Sequence, residues 1–505
     1  MPVNRFRLTR LVPTSKLFFT ASHGVRAGGT RRKAPRELLE NFPKSVAMMK
    51  KLDSRKLRGV VALIMILAAA ALACAQPSSP GREQLLNGLT ILFSPRPGDP
   101  QVLLKLRIHS GAAFDLAGKA GTISLLADSF FPEAATHEYV TEELGGKLEV
   151  VTTYDGIDVT LSGKAGELER MIELLRNAVI TPNLSADSVA RVRQARLKQL
   201  ADRPLSAAEV ADEAVAARLF GSYPYAHSPT GTAETLAKID RADLLLAQER
   251  FIHPDNATLV VIGGVEKARA MRDLRQLLGP WQKGDRSIPA TFRQAPPPDP
   301  RVLLISQPGS LHADVRIAVR GLAARERDSL AASLLSLIAR ERWQSAAPDL
   351  TGAFVRNEMH FLPGAFIFGA RVPSSSAAKA IDAAREVMRA LAQTGPTAAE
   401  VEKARQLLNA QGEPSATPEA VATNWLDNET YKTAEAGGPA SEINRLTAAD
   451  LQRVASRLFK DAPPATVAIA DVDQLKTSMG RNVEIRRPSS NDKLSPNPVP
   501  NSPKP

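Results

Sequence analysis

The sequence contains a single cysteine, Cys74, among its 505 residues. A disulfide within the chain is therefore excluded, and so is a metal site built on several thiolates. Histidine is also scarce, and no two of the seven histidines stand within one helical turn of each other: His23, His109, His137, His227, His253, His312 and His360. A zinc site that begins with two imidazoles on one helix is excluded as well. We interpret these histidines as hydrogen-bonded structural or surface residues.

Net charge is absent from most of the chain. The formal charge is +12, but residues 1–58 hold 15 Lys and Arg against three acidic residues. From residue 59 onward, 50 basic residues balance 50 acidic ones. Because the body of the protein lacks an excess of basic residues, we expect no nucleic-acid partner.

An uncharged run at 60–73 follows a basic segment and precedes small residues around Cys74. The run has 14 residues, too few for a membrane span of about 20. This layout is typical of a secretory signal peptide, which we predict over 48–75. The protein is then exported, either periplasmic or envelope-associated. We favour plain cleavage before Gln76. The alternative is a lipidated Cys74, whose lipid anchor would be the only membrane contact.

The two ends of the chain have compositions that do not predict a packed core. A signal peptide normally begins near the first residue, so we expect translation to start at Met48 or Met49. Residues 1–47 are then a non-native or disordered basic extension. Residues 485–505 are rich in Pro, Ser and Asn, which predicts a disordered tail.

The body between these ends contains an internal repeat with an offset of about 210 residues. In each copy a short strand, a turn and an alternating strand precede an apolar helix, at 91–98, 102–110 and 121–131, then at 302–309, 315–320 and 329–339. A Pro-rich linker at 291–300 separates the copies. We therefore predict an α+β fold of mixed α/β character with two homologous units, 84–290 and 301–476. Each unit is expected to be a largely antiparallel sheet packed with helices.

Periodicity predicts further elements within both copies. Strands are expected at 147–153, 157–161, 259–265 and 465–470, and helices at 167–178, 186–201, 268–278, 378–391 and 398–408. The first two strands are separated by a short turn, which indicates an antiparallel hairpin.

The helix at 121–131 has polar residues where a helical metal site would have ligands. Ser124 and Asp128 are four residues apart and share one face. A zinc helix would carry His at both positions and Glu beside the second, because two imidazoles bind the ion and the carboxylate deprotonates its water. This helix offers Ser124, Ala127 and Asp128 instead.

Four segments together resemble the pitrilysin/insulinase (M16) metallopeptidase family. They are GGKLEV at 145–150, LFGSYPYAH at 219–227, GTAE at 231–234 and FIHPDNATLVVIG at 251–263. The resemblance extends over about residues 85–475 and is stronger in the first half. It implies a clamshell of paired α/β units that encloses a chamber for unfolded peptides.

The resemblance also implies where a zinc site would lie. The His-x-x-Glu-His pattern of catalytic members falls on Ser124, Ala127 and Asp128, and the third ligand, a Glu on a later helix, falls near Gln199. None of the four residues has the required type. Ser124 and Asp128 would hold a cation only weakly without imidazole or thiolate support. We therefore expect no intact catalytic site and no zinc or other cofactor.

Two positions concern substrate binding. The family's Gly-Gly strand usually supplies an Asn to the peptide backbone, and Glu149 stands at that place, so Glu149 is the candidate substrate-binding residue. Family C-terminal halves often supply an Arg and Tyr pair. Arg340 and Arg342 stand where a related loop begins, but a solvated helix end explains them equally well.

These observations predict an exported, catalytically inactive family member. It would be the non-catalytic subunit of a heterodimeric peptidase and would shape the peptide chamber for a partner with an intact His-x-x-Glu-His motif. Two alternatives remain open. The chain is itself a zinc endopeptidase, or it is a peptide-binding scaffold protein or lipoprotein of the envelope.

Overall fold

The computed structural model describes residues 80–285, 292–411, 417–433, 442–479 and 482–487. The predicted extension, the signal peptide and Cys74 lie outside the described residues, as does the chain from residue 488. Within the described ranges, no helix is long and apolar enough to cross a membrane.

The first half forms a six-stranded sheet. Its strands are β1 Gly81–Gln84, β2 Thr90–Pro95, β3 Gln101–Ile108, β4 Lys147–Thr152, β5 Ile157–Lys164 and β6 Ala257–Gly263. They lie in the order β1-β2-β6-β3-β5-β4, and β2 and β6 are the parallel pair. The helices of this half are α1 Thr122–Asp128, α2 Ala134–Glu142, α3 Leu168–Ile180, α4 Ala186–Asp202, α5 Ala207–Phe220, α6 Ala233–Ala237, α7 Arg241–Phe251 and α8 Lys267–Leu278.

The second half forms another six-stranded sheet. Its strands are β7 Val302–Ser306, β8 His312–Arg320, β9 Thr351–Glu358, β10 Ala365–Pro373, β11 Ala465–Ala470 and β12 Val483–Arg486, in the order β12-β7-β11-β8-β10-β9. The helices are α9 Ser329–Ala346, α10 Ala377–Gln393, α11 Ala398–Gln411, α12 Pro418–Tyr431, α13 Ala448–Phe459 and α14 Val472–Met479.

The predicted α+β fold with two homologous units is confirmed. Five strands of the first sheet, in the order β2-β6-β3-β5-β4, correspond to β7-β11-β8-β10-β9 of the second. Each corresponding pair of neighbours has the same relative direction. The sheets differ in the sixth strand, since β1 is antiparallel to β2 whereas β12 is parallel to β7.

Strand β12 corrects one prediction. It includes residues 485 and 486, where the sequence predicted the start of a disordered tail. The physical reason is the outer edge of β7, whose backbone groups pair with residues 483–486. Four residues beside a Pro-rich segment are too few to give a strand signal of their own.

The predicted hairpin of β4 and β5 begins at a glycine that no other residue could replace. A Cβ on Gly146 would lie 1.8 Å from the carbonyl oxygen of Ser162 on β5. The close backbone approach therefore requires glycine at this position. It fixes the register in which Lys147 pairs with Ser162 and Thr152 with Ile157.

Two helices are exchanged between the halves, which the sequence did not predict. Helix α5, from the first half, packs on the second sheet against Leu303, Ile305 and Val467. Helix α12, from the second half, packs on the first sheet against Leu103 and other buried residues. The two helices have 14 residues each and begin at 207 and 418, so they are counterparts in the repeat.

A buried arginine joins each exchanged helix to its sheet. Arg316 of β8 donates from Nε to Asp212 of α5 at 2.6 Å, and its side chain is 3% exposed. Arg107 of β3 donates to Asp427 of α12 at 2.6 Å and binds Asp158 of β5 through two further bonds. Burial alone would lower the pKa of Arg107, but the two carboxylates outweigh it and raise that pKa. Arg107 is therefore charged.

The turn between β4 and β5 provides a third link between the halves. Asp155 accepts hydrogen bonds from the hydroxyls of Tyr225 and Tyr431, each at 3.0 Å. It also accepts one from the backbone N–H of Phe361 at 3.0 Å. A single buried carboxylate thus contacts the first half, α12 and a loop of the second half.

Replacement of Asp212 by alanine should destabilise the protein through the α5 contact. The buried guanidinium of Arg316 would lose its carboxylate partner, and we expect the free energy of unfolding to fall by about 2 kcal/mol. Chemical denaturation measures the change. Arg356→Ala is the matched control, because Arg356 contacts the same carboxylate at 3.3 Å but is exposed, and it should cost less than about 1 kcal/mol. Equal losses for the two variants would contradict the role given to Arg316.

Candidate functional site

Helix α1 is short and its N-terminus is held by a half-buried carboxylate. Asp115 accepts hydrogen bonds from the backbone N–H of Gly121 at 2.6 Å and of Ile123 at 2.9 Å. Burial raises the pKa of Asp115 to about 7, although these two donors oppose the shift. Gly121 has a φ of 94°, a conformation that favours glycine. These contacts fix α1 against α4, α7 and β4.

The residues at the predicted zinc positions meet an arginine from α4. Nε of Arg196 lies 2.9 Å from Oδ2 of Asp128, and Nη2 lies 2.6 Å from Oδ1. The same Nη2 lies 3.3 Å from Oγ of Ser124. Ala127 is buried beside them and contributes no polar atom. The site is therefore an ion pair between α1 and α4, and the hydroxyl of Ser124 accepts a hydrogen bond from the same guanidinium.

The ion pair is only partly accessible to solvent. The side chain of Arg196 is 16% exposed and that of Asp128 is 31% exposed. Burial raises the pKa of the Asp128 carboxyl, and the Arg196 guanidinium offsets part of that rise. Two bonds between planar groups make this the strong, directional type of ion pair.

A cavity of about 420 Å³ adjoins the ion pair. Asp128, Arg196 and Gln199 line it, together with Val150 of β4. Gln199, near which the third ligand was predicted, lines the same cavity as Asp128. Lys198, the neighbouring polar residue, instead pairs with Asp202 on the exposed side of α4.

The residues of this site do not fit a zinc ion. A zinc site needs three or four nitrogen, sulfur or carboxylate ligands. The positions of Ser124, Ala127 and Asp128 offer one hydroxyl and one carboxylate, and that carboxylate already binds a guanidinium. Among the described residues, no group of three or more His, Cys, Asp and Glu has a metal-binding arrangement. The positive charge of Arg196 would also repel a cation placed between Ser124 and Asp128.

Arg196 is the residue that the sequence interpretation missed. It is one of several basic residues on α4, and nothing in their spacing distinguishes it. A signal was nevertheless present, since a carboxylate on an otherwise buried helix requires a cation nearby. The third ligand was predicted near Gln199, whereas the cation that neutralises Asp128 is Arg196, three residues earlier on α4.

Glu149 lies on β4, at the edge of the first sheet. Its side chain is half exposed, and its carboxylate lies 3.0 Å from Nζ of Lys147. The next residue, Val150, lines the cavity beside the ion pair. The substrate-binding role of Glu149 stays a prediction.

Arg342 is not a solvated helix end, contrary to one of the two interpretations above. Its guanidinium donates to both carboxylate oxygens of Glu400, at 2.7 and 2.8 Å. It also donates to the carbonyl oxygen of Gly395 at 3.1 Å. Arg342 therefore joins α9 to α11, because Glu400 lies in the first turn of α11.

His109 is a structural histidine at the contact between the first sheet and α12. Its Nε2 lies 2.9 Å from the hydroxyl of Thr258 on β6, and its Nδ1 lies 3.2 Å from the hydroxyl of Thr430 on α12. Burial, assisted by the nearby charge of Arg107, lowers the pKa of His109 to about 4. The imidazole is therefore neutral in the folded protein at neutral pH.

His109 should make stability depend on pH. An unfolded histidine has a pKa of about 6.5, so the unfolded chain binds more protons than the folded one between pH 6.5 and pH 4. Stability should fall as the pH drops through this window. Denaturation midpoints measured across it should show a weaker pH dependence for His109→Gln than for the wild type. The exposed His312 serves as control, and His312→Gln should keep the wild-type slope; an unchanged slope in His109→Gln would contradict the assignment.

Two stretches of the chain match one peptidase family. Residues 90–233 match the family described as "Insulinase (Peptidase family M16)", and residues 238–408 match "Peptidase M16 inactive domain". Together the two matches cover more than half of the chain. The chain belongs to peptidase family M16. The words "inactive domain" apply to the second match, whereas α1 and the ion pair lie in the first.

Curated relatives of the chain include a protein named as a complex subunit and a protein named as a protease. The chain is 23% identical over 211 residues to cytochrome b-c1 complex subunit 1, mitochondrial, of Homo sapiens. It is 22% identical over 206 residues to an uncharacterized zinc protease of Mycobacterium bovis. The alignments cover 40% of this chain in both cases, and 44% and 47% of the two relatives. The chain thus spans less than half the length of the curated relatives it matches.

Solved structures share the fold over most of the chain. A peptidase M16 inactive domain from Pseudomonas fluorescens has a TM-score of 0.68 at 18% identity, covering 77% of this chain and 97% of that one. A protease from Helicobacter pylori has a TM-score of 0.67 at 18% identity, covering 77% and 99%. Complex III2 from Candida albicans contains a chain with a TM-score of 0.65 at 12% identity, covering 78% and 97%. At these identities the likeness establishes the fold alone.

Proposed function

We propose that this chain is a non-catalytic M16 subunit that forms one wall of a peptide chamber for a catalytic M16 partner. The observation that carries the proposal is the ion pair at the zinc positions. Ser124, Ala127 and Asp128 stand where the family pattern has two His and a Glu, and Arg196 binds two of them. Among the residues that the structure describes, no group of ligands could hold a metal ion that activates a water molecule.

The names of the relatives support both a role as a subunit and a link to peptidase activity. One is named as a subunit of a multi-subunit complex and another as a zinc protease. The relatives of this chain therefore include a protein named for assembly and a protein named for peptidase chemistry. A chain that retains both M16 units but lacks the zinc ligands is expected to function through a partner, and that partner should carry an intact His-x-x-Glu-His motif.

Strand β4 is the surface on which this subunit would hold an unfolded peptide. It is the last strand of its sheet, so its outer backbone groups have no neighbouring strand among the described residues. An extended peptide can pair with such an edge through backbone hydrogen bonds. Side chains of β4 alternate between exposed and half-buried positions, so a bound peptide would pass Glu149 on the exposed face and Val150 beside the cavity.

We further propose that the subunit acts after export, in the periplasm or envelope. The support is the predicted signal peptide at 48–75, which lies outside the described residues. The unpaired Cys74 at its end is the site for a lipid anchor if the chain is a lipoprotein. The partner and the peptide substrate would then be met in the same compartment.

Purification of the tagged chain from its native host tests the partner. We expect a second M16 chain with an intact His-x-x-Glu-His motif to co-purify, and we expect peptidase activity only in that mixture. The isolated chain should hold no stoichiometric zinc and cleave no unstructured peptide. A monomer or self-dimer without a related peptidase would contradict the proposal.

The same preparation distinguishes the two alternatives. Stoichiometric zinc and peptide cleavage that Asp128→Ala abolishes would identify the chain as a zinc endopeptidase. Acylated Cys74 in a membrane fraction, with no peptidase attached, would identify an envelope scaffold protein.

Replacement of Glu149 should change which peptides bind. Its exposed carboxylate would favour a peptide with Lys or Arg opposite it, so Glu149→Gln should weaken binding of a basic unstructured peptide by up to about fivefold. Fluorescence anisotropy with a labelled peptide measures the change. Glu169→Gln, an exposed residue on α3, is the matched control and should leave the affinity unchanged. An equal effect of both variants would assign the change to general charge rather than to β4.

A further inference from the structure

The Arg196 guanidinium occupies the point at which two helices meet. Its Nη2 contacts Ser124 and Asp128, the positions that carry the two His residues in the family pattern, at 3.3 and 2.6 Å. Arg196 itself comes from α4, the helix predicted to supply the third ligand. Nη2 of Arg196 therefore contacts both side chains that stand at the His positions of the family pattern.

The second half contains an equivalent link that serves as an internal reference. Helices α9 and α11 are the counterparts of α1 and α4 in the repeat, and they pack against each other. Arg342 on α9 binds both oxygens of Glu400 on α11. The hydrogen bonds from Arg342 hold the pKa of Glu400 down at about 2. Both pairs join a guanidinium to a carboxylate. In the second half the arginine lies on α9, the counterpart of α1, whereas in the first half it lies on α4.

We propose that Arg196 replaces a metal ion as the link between α1 and α4, and that its remaining N–H donors bind an oxygen atom of a peptide held along β4. The first part concerns the chain alone. The second part rests on the proposed function, because it requires that β4 binds peptide.

The hydrogen bonds of Arg196 support both the link between the helices and the contact with a peptide. Nε and Nη2 are used by Asp128 and Ser124. Nη1 has no hydrogen-bond partner among the residues that the structure describes, and Arg196 lines the cavity next to Val150. A guanidinium can hold a carbonyl or carboxylate oxygen, but it does not bind and activate a water molecule as zinc does. The site would thus hold a peptide without hydrolysing it.

Thermal unfolding of charge-reversed variants tests the link. Arg196→Asp places two carboxylates together and should lower the melting temperature by several degrees. The double variant Asp128→Arg with Arg196→Asp should recover most of that loss, because it recreates the polarity of Arg342 and Glu400. Lys198→Asp is the matched control on the exposed side of α4 and should lower the melting temperature less than Arg196→Asp. The melting temperature of the wild type should not respond to EDTA or to added Zn²⁺.

Three results would overturn the link. They are a fall in the wild-type melting temperature on addition of EDTA, equal losses in Arg196→Asp and Lys198→Asp, and no recovery in the double variant. Arg196→Lys keeps the measurement informative if Arg196→Asp fails to fold. It preserves the charge but not the two-bond geometry, so its melting temperature should lie below that of the wild type.

Peptide binding by Arg196→Lys tests the second part. A lysine that binds Asp128 retains fewer donors for a peptide, so the dissociation constant for a labelled unstructured peptide should rise about tenfold. An affinity equal to that of the wild type would overturn the donor role of Arg196. If the wild type binds no peptide at all, the proposed function fails together with this part. The melting temperatures would still decide whether Arg196 links the helices.

Discussion

Two buried arginines, one in each sheet, require carboxylates that the other half of the chain supplies. Arg316 binds Asp212 on α5, and Arg107 binds Asp427 on α12. A guanidinium this deeply buried is costly to leave unpaired. Separation of the halves would expose apolar sheet faces, leave Arg316 without its carboxylate and leave Arg107 with Asp158 alone. The exchange of α5 and α12 therefore determines how the other elements are placed. The opposite face of each sheet packs against helices of the same half. Strand β4 lies at an open edge of the first sheet.

The candidate site lies where this framework brings α1, α4 and β4 together. In the family pattern such a site is held by a metal ion. Here the positive charge is part of the chain, since Arg196 reaches from α4 to Asp128 and Ser124 on α1. In our proposal, this guanidinium keeps the contact between the helices but supplies no ligands for a metal ion that would activate water. Val150 of β4 borders the cavity, and the peptide that we propose along β4 would lie beside the ion pair.

Much of the fold could be predicted from the sequence, and how well each element could be predicted depends on how local its determinants are. Strands such as β6, buried along its whole length, and helices such as α10 gave clear periodic patterns. The repeat was visible because corresponding segments kept their order. Amphipathic periodicity shows that α5 and α12 bury one face, but it does not show which sheet covers that face. Strand β12 exists only because β7 offers an edge, and Arg196 depends on a contact across 68 positions of sequence. These features arise from tertiary packing, which local patterns do not encode.

The exchange of helices has a consequence for the order in which the protein folds. The last strand of the first sheet, β6, ends at residue 263, but the helix that covers the open face of that sheet begins at residue 418. During synthesis, α12 cannot cover the first sheet until most of the second half has been made. Until then the sheet exposes four apolar residues: Leu92, Leu103, Val260 and Ile262. Contacts of such long sequence separation form late and slow the folding of a domain. Until then the emerging chain carries an apolar surface on which a chaperone can act.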